Sequence, residues 1–305
     1  MKRLPPIAVI ALLTLCAPAH AVLRAFVAST GSDANTAANC SFANPCRGFA
    51  AALTVVDPGG EILALDSAGY GAVTITKSVS LIGSPGFYAG IAALSGNAVT
   101  IATPSVSVTL RGLNINNVAA TNGVSMTAGT RLSIENCVIS NFSQGDGVIV
   151  NAAAEVRVID SVIRDNSRGV VFKGGANGVV HGSKVMGNTV AGVMVNSSTA
   201  STQTVGVVSG SVLSGNGINA YAFETIATAL SRLAVIHSTI AYGNTGVKSQ
   251  FSGGPTVAVV SESLVVSNST AFDNGAPGST LETLGNNTVR MNGPDVGTIT
   301  TVAPR

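Results

Sequence analysis

The second half of the chain repeats itself about every 25 residues, and few folds can absorb such a period. A β-prone run, a polar or Gly residue, Ser, an apolar residue two positions on, and then Asn recur as SIENCVISN, VIDSVIRDN, VHGSKVMGN, VSGSVLSGN, IHSTIAYGN, VSESLVVSN and LGNNTVRMN. Marked by the Ser-type position, the repeats fall at Cys137, Ser161, Ser183, Ser211, Ser238, Ser263 and Asn287. The Asn positions, Asn141, Asn166, Asn188, Asn216, Asn244, Asn268 and Asn292, keep the same beat. A second short β run follows most of these Asn residues, as GVIV at 147, GVVF at 169, AGVMV at 191 and GVKS at 246.

Two or three short strands per repeat, joined by Gly and Asn turns, predict an all-β, right-handed parallel β-helix in a single-stranded solenoid. A leucine-rich repeat would need a Leu pattern that is absent, and propeller blades are longer. In a β-helix each coil lies about 4.8 Å above the last, and inward positions form ladders of like residues. Asn suits the corners, because it tolerates the left-handed backbone and its amide can bond its equivalent one coil away. The Asn series is therefore read as structure and not as a set of ligands.

Upstream, GEILAL at 60, GAVTITKSVSLIG at 71, AVTIATPSVSVTLRGLNINN at 98 and GVSMTAGTRLSI at 123 extend the pattern to nine or ten coils between Gly60 and Asn292. The expected organisation is a strand, a disulfide loop and a cap helix over 22–59, a β-helix over 60–295 and a short tail over 296–305. The cap helix is expected in PCRGFAAALTVVDPGG, with Phe49, Ala52, Leu53 and Val56 on one face and a stop at Asp57-Pro58-Gly59-Gly60.

The segment 1–21 reads as a signal peptide: Lys2 and Arg3, the apolar run IAVIALLTL, and a small-x-small cleavage site at Ala19-His20-Ala21. The mature protein is expected to be secreted or periplasmic after cleavage near Ala21, with no membrane span. Export favours a disulfide between Cys40 and Cys46 in the loop CSFANPC and leaves Cys137 as a buried, inert thiol. Without Lys2 and Arg3, the 16 basic residues become 14 and balance 14 acidic ones, which argues against a nucleic-acid or anionic-membrane partner.

The segments RAFVASTGSDAN, NPCRGFAAAL, PGGEILALDSAGYGAVTITKSVSLIG and VTLRGLNIN resemble a family of small exported bacterial right-handed β-helix proteins of the pectate-lyase-like superfold. The likeness runs over about residues 25 to 293 and implies fold and export. It transfers no catalytic residues.

Enzymes of that superfold mostly act on acidic polysaccharides. Hydrolysis of the polygalacturonase kind needs paired carboxylates, usually in Asn-x-Asp and Asp-Asp together with His-Gly and Arg-x-Lys, and only His181-Gly182 is present. Elimination of the pectate-lyase kind needs clustered acids for Ca²⁺ and a base for the proton beside the uronate carboxylate. The densest charge lies over residues 131–184, which hold 11 of the 30 charged side chains. There Asp160, Arg164 and Asp165 are the catalytic candidates, grouped at one corner of one coil, and Asp146, Glu155, Arg157 and Lys173 the binding candidates. Arg111 over Glu135 and Arg131 over Glu155, one coil apart, read instead as surface charge pairs. No metal site is expected and no cofactor, with Ca²⁺ attached only to the lyase reading.

Val179, Val207, Ala234 and Val259 should point outward in successive coils, as an apolar stripe for a polysaccharide, a protein partner or a second protomer. The preferred reading is an exported, non-catalytic β-helix scaffold or binding protein. The alternative is a uronate-polymer lyase or hydrolase with a charged groove near residues 131–184.

Overall fold

The computed structural model describes residues 21–303. The signal peptide expected over 1–21 lies, apart from Ala21, outside the described residues. The described chain winds into a parallel β-solenoid with three sheets running its length, of 12, 10 and 10 strands. Each complete coil gives one strand to each sheet, so the sheets define ten coils. Glu155–Ile159, Val162–Arg164 and Arg168–Lys173 form one of them. Residues of the tail take part in the stack, where Val296–Gly297 pairs with Asp273–Asn274 and Thr300–Thr301 with Glu282–Thr283.

Two sharp corners give every central coil its shape. A residue with positive φ turns the chain, and the next residue reaches inward. At the first corner these turn residues are Asn136, Asp160, Gly182, Gly210, His237 and Glu262, with φ between 46° and 59°. Each precedes a member of the Ser series. The Ser161 N–H donates to Ser183 Oγ at 3.1 Å, Ser183 to Ser211 at 3.1 Å, Ser211 to Ser238 at 3.2 Å and Ser238 to Ser263 at 3.2 Å. Cys137 N–H opens this ladder on Ser161, and Ser263 closes it on Asn287 Oδ1. A donor with no in-sheet partner is thus satisfied once per coil.

The second corner carries the Asn ladder, with two departures from the expected series. Asn166 Nδ2 donates to Asn188 Oδ1 at 3.0 Å, Asn188 to Asn216 at 2.8 Å and Asn268 to Asn292 at 3.0 Å. Asn141, however, is the left-handed turn residue (φ 71°), and the inward position belongs to the buried Phe142, which ends the ladder. Asn244 is also off the ladder and exposed, because Tyr242 takes the turn and shifts Gly243 into the inward position. Asn219 fills the rung from a neighbouring strand. Its Oδ1 accepts from Asn216 Nδ2 at 2.8 Å, and its Nδ2 donates to Asn268 Oδ1 at 3.0 Å. A Cβ at Gly243 would stand 2.5 Å from Asn219 Nδ2, so glycine is what admits the substitute.

Inside, aliphatic side chains from the three sheets stack in columns, and large and small residues complement one another. Phe172 is fully buried from the third sheet, and a Cβ at the first-sheet position Gly178 would meet its ring at 2.3 Å. The helix α1 (Phe49–Val55) covers one end with buried Phe49, Ala52 and Leu53. Cys40 and Cys46 form a disulfide beside it. Cys137 is buried, and burial pushes its thiol up to about 11. Among the described residues no helix is long and apolar enough to cross a membrane.

Candidate functional site on the third sheet

The candidate residues are dealt to different faces of the prism. Glu155 and Arg157 point outward from the first sheet, where Glu155 pairs with Arg131 at 3.0 Å. On the same sheet Glu135 pairs with Arg111 at 2.7 Å, and the Ser133 hydroxyl, then Arg111, hold its carboxyl below the usual range. Asp160 and Asp165 do not share a corner as expected. They turn the two corners on either side of Val162–Arg164, with φ of 47° and 58°. Two turns with a short strand between them separate what looked adjacent in sequence. Arg164 pairs with its neighbour Asp165. Among the described residues no three His, Cys, Asp or Glu side chains gather in a way that could hold a metal ion.

Asp146 and Lys173 both lie on the third sheet, at opposite ends of its pairing between Asp146–Asn151 and Arg168–Lys173. Asp146 is 2% exposed and receives two bonds from one guanidinium, Arg168 Nε at 2.6 Å and a terminal nitrogen at 3.0 Å. This paired geometry holds the Arg168 plane fixed while leaving further N–H groups free. Beside it the register stacks Ile149, Val171, Met194, Tyr221, Lys248 and Asp273 in one outward column. Val171, Ala191, Met194 and Tyr221 form an apolar cluster separate from the core, flanked by Ile149, Ile218 and Phe223.

A cleft of about 250 Å³ opens over this floor, lined by Arg168, Val171, Lys173, Met194, Asn196, Phe223 and Thr225. Strand alternation places Tyr221 and Phe223 on one face, their ring centroids 5.4 Å apart and their planes at 30°. The Tyr221 hydroxyl donates to Gln250 Oε1 at 2.7 Å. Burial, with Asp273 second, pushes that phenol up to about 12, so it remains a donor at neutral pH. Lys248 is bound to Asp273 at 2.9 Å, whereas Lys173 has no ion-pair partner among the described residues.

The wall of the cleft hangs on Glu224, which is fully buried. One oxygen accepts the N–H groups of Thr225 and Ile226 at 2.9 Å. The other accepts the Ser197 N–H at 3.0 Å and the Ser231 hydroxyl at 2.8 Å. Three backbone donors from two loops and one hydroxyl from the first-sheet strand Leu230–Ile236 converge on one carboxyl group, and those loops supply Asn196 and Thr225. Sequence reading missed Glu224, Tyr221 and Phe223. Their signal is the alternation in NAYAFE, which sets two aromatics on one side of a strand and ends in an acid on the other.

Ten three-stranded parallel coils with Ser and Asn ladders define a parallel β-solenoid. The chain belongs to the right-handed β-helix family, whose model, described as "Right handed beta helix region", matches residues 97–292. A solved structure, "Crystal structure of pectate lyase Pel9A", is similar with a TM-score of 0.67 and 15% identity, over 90% of this chain and 79% of that one. At that identity the likeness shows the fold. No curated protein matches the chain in sequence.

Proposed function

We propose that the chain is an exported, non-catalytic glycan-binding β-helix that lays an acidic polysaccharide on the third-sheet cleft. The observation that carries this reading is a cleft lined by the unpaired Lys173 at one end of strand Arg168–Lys173 and the fixed Arg168 guanidinium at the other, over an apolar floor that includes a stacked aromatic pair. Each part suits a uronate polymer. The C–H face of a pyranose ring packs on Met and aromatic surfaces, its hydroxyls bond amides such as Asn196, and carboxylates along the polymer meet Arg168 and Lys173 at the two ends of the cleft. The likeness to a pectate lyase supports an acidic polysaccharide as the ligand class, and the disulfide supports export.

The competing reading is cleavage of such a polymer by lyase or hydrolase chemistry, with Ca²⁺ for the lyase. One observation favours it: the Asp146–Arg168 pair adjoins the same cleft. Calorimetric titration of the mature protein with oligogalacturonate and with a neutral glucan, with and without Ca²⁺, separates the readings. Acidic oligomer should bind and neutral glucan should not, and Lys173→Ala and Tyr221→Ala should each weaken binding by about tenfold, the former most at low salt. Affinity unchanged by both substitutions would remove the cleft as the site. Unsaturated uronate products appearing in ultraviolet absorbance would replace binding by cleavage.

A further inference from the structure

The outward face of the first sheet carries a second, independent feature. The register stacks Arg157, Val179, Val207, Ala234, Val259 and Glu282 in a single column, one residue per coil. Val179 is 37% exposed, and the three residues after it are half-buried. Val205 and Val257 on one side, and Ile236 on the other, widen the stripe into a flat apolar patch. The column ends on opposite charges. Elsewhere on this sheet Arg24–Glu61, Arg111–Glu135 and Arg131–Glu155 neutralise one another across coils. Arg157 and Glu282 have no ion-pair partner among the described residues.

We propose that two copies of the chain associate face to face through this sheet, with their solenoid axes reversed. A two-fold axis along the strand direction, lying between the two sheets, keeps each position along the strand opposite its own kind and reverses the order of coils. Arg157 of each copy then faces Glu282 of the other, Val179 faces Val259, and Val207 faces Ala234. The arrangement with axes parallel sets Arg157 against Arg157 and Glu282 against Glu282, so the charges select the reversed one. A second copy supplies the reversed charge order at the same coil spacing, and that is why the occupant is this chain. Arg232 lies beside the column opposite Val205, where its methylene stem covers apolar surface while its head reaches solvent. Five coil steps of about 4.8 Å by a strand of about 20 Å give a footprint on the order of 500 Å² per copy, or about 1,000 Å² in all, where specific interfaces begin.

Sedimentation equilibrium of the mature protein tests this, with circular dichroism confirming that each variant is folded. The wild type should show a reversible monomer–dimer equilibrium. Arg157→Glu and Glu282→Arg should each weaken the dimer by about tenfold or more, since each creates two like-charge contacts, and the double swap should restore it. Val207→Asp should abolish association. A wild type that stays monomeric at about 0.1 mM, a concentration at which even a dissociation constant of about 10 µM shows, would overturn the proposal. So would a dimer indifferent to both single charge reversals, or a double swap that fails to recover it.

Discussion

Asn219 shows how much one side chain can carry in a repeat. Where Tyr242 displaces the ladder position onto Gly243, this residue restores continuity between Asn216 and Asn268 from outside the series. Asn219→Ala should cost about 2–4 kcal/mol, because it leaves buried amide groups unpaired on both sides. Gly243→Ala should also destabilise, through its clash with Asn219. The double variant should lose less than the two together, and chemical denaturation of the four proteins measures that coupling. Cys137 gives a pH signature. Its folded pKa of about 11 lies above the ordinary thiol value of 9.0, so the unfolded chain releases the proton first as pH rises. Cys137 therefore adds no pH dependence below about pH 9, and its contribution should lower stability from there toward pH 11, by at most about 1.4 kcal/mol per unit. In Cys137→Ser, which matches the neighbouring rungs, that slope should be missing from denaturation midpoints, and native wild type should resist thiol reagents at pH 8.

Among the elements, the third-sheet strand Ile218–Glu224 does the most varied work. Its inward residues join the core and ladder, Phe223 lines the cleft with Tyr221 stacked beside it in the floor, and Glu224 gathers two loops. Glu224→Gln puts an amide N–H₂ where a donor already points, and should cost about 1–3 kcal/mol while loosening the wall that presents Asn196 and Thr225. The expected readouts are a lower melting temperature and weaker glycan binding together. A drop in melting temperature with unchanged binding would separate Glu224 from the cleft. The repeat made the strands legible, since alternation of inward and outward residues within a recurring coil leaves few registers open. It did not show that Asp160 and Asp165 turn different corners, because the second-sheet strand between them, Val162–Arg164, is too short to announce itself by alternation.

At the scale of the whole molecule, a solenoid separates functions by face. The first sheet offers the self-complementary stripe and the third the cleft, so dimer formation and glycan binding should be independent. The charge-reversed Arg157→Glu protein should bind oligogalacturonate as the wild type does, and a loss of binding measured by calorimetry would show that the two faces are coupled. The amino-acid sequence by itself determined the period, the corner chemistry, the Ser ladder, the cross-coil pairs Arg111–Glu135 and Arg131–Glu155, and the outward valines, because each depends only on spacing along a chain that stacks on itself. Which charges meet was decided by the tertiary structure. Asp146 and Arg168 join across one coil, while Lys173 and Phe223 border one cleft from strands two coils apart. Coils differ in length, Ser183 to Ser211 being a longer step than Ser161 to Ser183, and the differences accumulate in loops whose course depends on contacts such as those of Glu224. A repeat specifies what stacks, but the irregular segments between rungs set what gathers at a surface.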